Sequence, residues 1–139
     1  MIGLDTNILV RWLLHPDAAD LDTSNSEMAI IERTLSQKDA SFFVNAIVIA
    51  ETTWILEQKL RLRRAEVCDV IDRLLYSVNI TVGEANTVKE ARSLYESSNI
   101  GFADCLIAGI NRSAGCSYTL TFDKKAGRHA GFHSIRAKD

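Results

Sequence analysis

Ser41-Phe42-Phe43-Val44-Asn45-Ala46-Ile47-Val48-Ile49-Ala50-Glu51 is the stretch that decides the architecture. Ser41 to Val44 is aromatic and apolar, with a β-branched end, and reads as a short strand. Asn45 is a good helix N-cap, because its side-chain oxygen accepts a backbone N–H of the first turn. The helix predicted after it runs from Ala46 to about Lys59. It is apolar on most sides and is expected to be mostly buried. Strand followed at once by helix is the alternation of an α/β chain.

The same alternation continues in both directions. Towards the N-terminus, Ile2 to Asp5 reads as a short buried strand. Thr6 or Asn7 then caps a helix through Ile8, Leu9, Trp12 and Leu13, which His15-Pro16-Asp17 ends. Ser24-Asn25-Ser26-Glu27 is a capping-box pattern opening a helix to about Gln37, with Met28, Ile31 and Leu35 apolar. Beyond residue 59, Val67, Val70, Ile71, Leu74 and Leu75 keep helical spacing within a helix from Ala65 to Tyr76. Ile80-Thr81-Val82 reads as a strand, and Glu84 to Ser97 as a helix with Val88, Ala91, Leu94 and Tyr95 inward. Phe102 to Ala114 reads as a helix with Ala103, Leu106, Ile107 and Ile110 inward, and Gly115 stops it. Ser117 to Phe122 is a strand candidate, and Ser134-Ile135-Arg136 a last edge strand. The predicted class is α/β, with a short, mostly parallel sheet flanked by helices. In such sheets ligands bind beyond the carboxyl ends of the strands.

The chain has 139 residues, which fits one domain over 1–139. Its apolar fraction of 47% supplies a core. A net charge of −2 argues against nucleic-acid binding driven by global charge, and leaves room for a local basic rim. No apolar run is long enough to cross a bilayer. There is no basic n-region before an apolar start, so no signal peptide is expected and the location read from the sequence is cytoplasmic. Cys68, Cys105 and Cys116 are odd in number and lack Cys-x-x-Cys spacing, so buried reduced thiols are expected.

Against this background Asp5, Glu51, Asp104 and Asp123 stand out, because each lies in an apolar stretch. An unpaired buried carboxylate costs several kcal/mol or more. Asp5 closes a predicted strand, and Asp123 follows another. Asp104 lies in the first turn of a helix, where the dipole favours an anion. Singly, Asp104 reads as an ordinary first-turn acid and Asp123 as a turn former. For Asp5 and Glu51 a functional role ranks ahead of a cap or a solvated face. As a set, the four suggest carboxylates that share a cation. Oxygen-only ligation suits Mg²⁺ or Mn²⁺. Such an ion polarises a phosphate and lowers the pKa of a bound water.

The segments carrying these acids resemble the successive motifs of PIN-domain nucleases, and the resemblance is nearest to VapC-like toxins of toxin–antitoxin pairs. They are Met1 to Val10 with Asp5-Thr6-Asn7, Ile49 to Leu56 with Glu51, Gly101 to Ala108 with Asp104, and Leu120 to Lys125 with Asp123. The resemblance implies a PIN-like three-layer fold and a Mg²⁺-dependent endoribonuclease, with Mn²⁺ able to substitute. It implies Asp5, Glu51, Asp104 and Asp123 as the acidic catalytic and metal site, with Thr6 and Asn7 supporting the first acid and Thr121 near the last. It also implies a homodimer and a cognate antitoxin. Many relatives carry a further acid where Gly101 stands.

Lys124, Lys125 and Arg128 are placed to contact RNA phosphates. Lys59, Arg61, Arg63 and Arg64 read equally as a solvated helix junction or an RNA rim. His129 and His133 have helical metal spacing, but Gly131 lies between them and no further ligand completes a zinc set. Trp12 and Trp54 read as core or dimer contacts. The alternatives are a phosphatase using Asp5 as nucleophile, against which Asn7 stands where a second acid is needed, and a non-catalytic PIN-like RNA- or protein-binding module. No glycine-rich phosphate loop supports an NTPase.

Overall fold

The structure, a computed structural model, describes residues 1–14 and 27–135. The predicted helix stop at His15-Pro16-Asp17, the polar stretch from Asp17 and the capping residues Ser24 to Ser26 lie outside them, as does Arg136. Elements follow in the order β1 (Ile2–Gly3), α1 (Thr6–Leu14), α2 (Glu27–Leu35), β2 (Phe42–Val44), α3 (Ala46–Gln58), α4 (Arg64–Leu75), β3 (Ile80–Val82), α5 (Ala85–Glu96), α6 (Phe102–Ser113), β4 (Thr119–Thr121) and β5 (Phe132–Ser134). A 3₁₀ turn at Ala126–Arg128 joins the last two strands.

The fold is α/β. β1, β2 and β3 form a parallel sheet in that order, with Ile2 opposite Phe42 and Phe42 opposite Ile80. β4 and β5 pair in parallel as a separate two-stranded sheet. β2 is central in the larger sheet, and its Phe42 and Val44 are buried. Asn45 caps α3 as its residue type predicts: its Oδ1 accepts from Val48 N at 2.9 Å. The core is shared between the sheet and helices. Leu9, Ile49, Leu56, Val67, Ile71, Leu74, Val88, Tyr95 and Phe102 are among its fully buried side chains. Burying each large apolar side chain stabilises by roughly 1.5–3 kcal/mol.

Several expectations are corrected. β1 is an edge strand with Ile2 and Gly3 exposed, since only one neighbour pairs with it among the described residues. α3 is mostly buried as predicted, but one stripe of it faces out: Ile47 is 70% and Trp54 53% exposed, and Glu51 shares that face, because α1, α4 and α6 cover only part of its circumference. α6 turns Phe102, Cys105, Leu106 and Gly109 inward. Ile107 and Ile110 are exposed instead, because α5 and α3 pack on the face around Gly109, which lets the helices approach closely. The last strand ends at Ser134 and begins at Phe132, two residues before its predicted start. Cys68 and Cys105 are buried free thiols, but Cys116 is exposed beyond the end of α6. Gly115, at φ +99°, stops α6 as predicted.

Candidate active site

Asp5 follows β1 and sits just before the first residue of α1. Its Oδ1 accepts from Ile8 N at 3.0 Å, so Asp5 itself caps α1. The sequence reading gave that work to Thr6 or Asn7. α1 begins at Thr6, and the residue three positions before Ile8 is therefore Asp5. Thr6 is released for another partner. Its hydroxyl donates to Glu51 Oε1 at 3.0 Å, across 45 residues of chain. Asp5, Thr6 and Glu51 are thus joined where α1 packs on α3. Asn7 is exposed on α1.

Asp104 lies in the first turn of α6, half-buried. Burial first, and then the negative charge of Asp123, raise its carboxyl above the ordinary value. Asp123 follows β4. Its Oδ1 accepts from Lys125 N at 2.8 Å and Ala126 N at 3.4 Å, which shapes the turn after the strand. Its own amide donates to Thr121 Oγ1 at 3.0 Å, so the hydroxyl expected beside the last acid is in contact with it. The turn-forming reading of Asp123 is therefore realised in the structure.

The geometry brings the acids into two groups, Asp5–Thr6–Glu51 and Asp104–Asp123. Among the described residues no three His, Cys, Asp or Glu side chains gather closely enough to hold an ion between them. Nor does any of the four acids form an ion pair with a basic side chain there. Unpaired oxygen donors of like charge fit a hard divalent cation. Mg²⁺ is commonly held by one or two carboxylates with waters and substrate phosphates, and does not need an all-protein cage. A Cβ at Gly101 would meet only Asp104 Oδ2, at 3.9 Å, so a longer side chain has room there beside the acid.

The remaining candidates divide. Lys124, Lys125 and Arg128 are exposed just beyond Asp123. Arg64 is not part of an exposed rim; it turns inward onto backbone carbonyls. Trp12 packs against the core with the Arg73 guanidinium 5.0 Å over its ring. Trp54 lies on the exposed side of α3, one turn beyond Glu51, with Lys59 Nζ 5.7 Å from its ring centre. The His133 ring lies 5.2 Å from that of Tyr118, tilted by 40°. Sequence reasoning missed the inward role of Arg64, because nothing in a run of basic residues marks one of them as turned to the interior.

A short parallel sheet with acids at strand ends and helix starts defines an acidic-site α/β protein. The profile of the PIN domain family matches residues 2–131, and the chain belongs to that family. It is 27% identical over 135 residues to a VapC ribonuclease of Aquifex aeolicus (strain VF5), covering 95% of this chain and 93% of that protein. No solved structure matches the chain. Among the described residues, no helix is long and apolar enough to cross a membrane.

Proposed function

We propose that this protein is a Mg²⁺-dependent endoribonuclease acting as the toxin of a toxin–antitoxin pair, with Mn²⁺ able to replace Mg²⁺. The observation that carries the reading is the half-buried Asp104 carboxyl beside Asp123, two like charges with no basic partner among the described residues. The kinship with a VapC ribonuclease supports the same reading.

Asp5, Glu51, Asp104 and Asp123 would hold the metal. When bound, it supplies positive charge to the scissile phosphate and makes an attacking water more acidic. The chain's own residues prepare the site. Asp5 is fixed by the Ile8 amide, and Glu51 is oriented by the Thr6 hydroxyl. Thr121 holds the backbone of Asp123. Lys124, Lys125 and Arg128 hold the RNA backbone by charge, which positions the strand without reading its bases. Ile47 and Trp54 flank Glu51 on the exposed face of α3, and exposed Ile107 and Ile110 lie on neighbouring α6. This apolar surface supports self-association as a homodimer. A cognate antitoxin then covers the acidic site.

The test is incubation of the purified protein with total RNA and Mg²⁺, with end mapping of the fragments. Discrete cuts should depend on Mg²⁺ or Mn²⁺, stop with chelator, and fall sharply in Asp5→Asn and Asp104→Asn. Full cleavage in excess EDTA contradicts the proposal.

A further inference from the structure

Arg64 is the first residue of α4, at the end of the basic run, and its side chain points into the protein. Nη1 donates to the Tyr95 carbonyl and to the Ile100 carbonyl, each at 2.8 Å. The guanidinium carbon lies 4.0 Å from the centre of the Tyr95 ring. Tyr95 is in the last turn of α5, and its carbonyl also accepts a long backbone bond from Ser98 N at 3.5 Å. Ile100 is buried and immediately precedes Gly101, the N-cap of α6. One planar cation therefore clamps both ends of the connection between α5 and α6.

Two further contacts carry this clamp to the acids. The buried Tyr95 ring meets Phe102 edge-on, with centroids 5.7 Å apart and planes at 81°. Phe102 opens α6, two residues before Asp104. The Glu57 carboxylate lies near the Tyr95 hydroxyl: after burial, its negative charge is what raises that group above the ordinary tyrosine value. Glu57 lies on α3, six residues beyond Glu51. The helix that carries Glu51 and the helix start that carries Asp104 thus meet in one knot of Arg64, Tyr95, Glu57 and Phe102.

We propose that Arg64 is a positioning residue which, through Tyr95 and the Ile100 carbonyl, sets where Asp104 stands relative to Glu51. The inference rests on the reading of these acids as the metal site of a nuclease. Lysine is a poor substitute, because its ammonium could donate to the two carbonyls but cannot at the same time lie as a flat plane on the Tyr95 ring. A displacement of about 1 Å in a catalytic group costs on the order of a hundredfold in rate.

The experiment compares wild type, Arg64→Lys and Tyr95→Phe. Tyr95→Phe keeps the ring under Arg64 and against Phe102, but removes the hydroxyl beside Glu57. Four quantities are read: melting temperature in EDTA, the Mn²⁺ dissociation constant by electron paramagnetic resonance, kcat and KM on RNA, and hydrogen exchange of the Cys105 amide. That amide makes the first helical bond of α6, to the Gly101 carbonyl at 3.1 Å. In Arg64→Lys, kcat should fall by roughly tenfold to a hundredfold while KM stays within about twofold, and Mn²⁺ should bind several-fold more weakly. Cys105 exchange should quicken. Tyr95→Phe should move each quantity the same way by less. If Arg64→Lys lowers only the melting temperature, with wild-type Mn²⁺ affinity and kcat, Arg64 is a structural brace alone and the inference is overturned. Should Arg64→Lys not fold, Tyr95→Phe decides by the same quantities. A wild type that neither binds Mn²⁺ nor cleaves RNA defeats the nuclease reading instead. The clamp is then judged on Cys105 exchange, and an unchanged rate overturns it.

Discussion

At the residue scale, Asp5 carries two duties that can be separated. One oxygen caps α1; the other duty, proposed above, is the charge it offers to a metal ion. Asparagine caps as well as aspartate, so Asp5→Asn should leave stability within a few tenths of a kcal/mol in EDTA, while Asp5→Ala loses about 1 kcal/mol. Both should lose RNA cleavage. Urea unfolding beside the cleavage assay separates the duties; cleavage retained in Asp5→Asn would make Asp5 a cap and nothing more. Asp104 has a different signature, because burial and Asp123 raise its carboxyl in the folded state. An acid with a raised folded pKa binds protons more tightly when folded. Its favourable contribution is full below the unfolded pKa of about 3.9 and declines as pH rises, until the loss is complete above the folded value. Asp104→Asn removes that decline. In EDTA the variant should gain on wild type as pH rises through this window, and the difference should level off above it. Denaturant midpoints at successive pH values measure this, and a constant difference would mean that Asp104 carries no such strain.

At the scale of elements, α5 and α6 make the closest helix pair around the site, and Gly109 is why they fit. A Cβ there would stand 2.8 Å from Thr87 Cγ2, inside contact distance. Gly109→Ala should therefore destabilise by about 1–2 kcal/mol, although alanine is the better helix former. Thr87→Ser removes the obstructing methyl and keeps the hydroxyl that lies 3.3 Å from Ser113 Oγ. The double variant should recover most of the loss, which a double-mutant cycle in urea would read; strictly additive losses would place the strain elsewhere. The elements themselves were largely legible in the sequence. Asn45 marked the start of α3, the spacing of Val67, Ile71 and Leu74 marked α4, and Ile80 to Val82 were found as a strand. What failed was the choice of faces. Ile107 and Ile110 look like core in a periodic pattern, yet Gly109, with no side chain to count, lies on the packed face. The four carboxylates stand out in the sequence because acids in apolar runs are costly to bury, but the structure leaves Asp5, Glu51 and Asp123 exposed and only Asp104 half-buried, so that cost applies to Asp104 alone. Arg64 does not stand out, because its partners are backbone carbonyls distant in sequence, to which no residue pattern points.

At the scale of the whole molecule, the net charge of −2 means that attraction to RNA must be local. Replacing Lys124, Lys125 and Arg128 by alanine should flatten the log–log salt dependence of RNA binding by roughly one unit per lost phosphate contact. An unchanged slope would assign these side chains to solvent. Sedimentation should give twice the chain mass of 15.4 kDa, and Trp54→Lys should shift the species to the monomer. A wild type that stays monomeric at micromolar concentration contradicts the dimer. The central claim is that Asp5 before α1, Glu51 of α3, Asp104 of α6 and Asp123 after β4 hold one kind of ligand, a hard divalent cation. Thermal unfolding of wild type and Asp104→Asn, each with EDTA and with Mg²⁺, tests it most directly. An ion that binds only the folded state adds about 2.7 kcal/mol at a hundredfold excess over its dissociation constant. The account predicts that Mg²⁺ raises the wild-type melting temperature, that Asp104→Asn is at least as stable as wild type in EDTA, and that the variant loses most of its response to Mg²⁺. A variant that is strongly destabilised in EDTA and still responds fully to Mg²⁺ would contradict it.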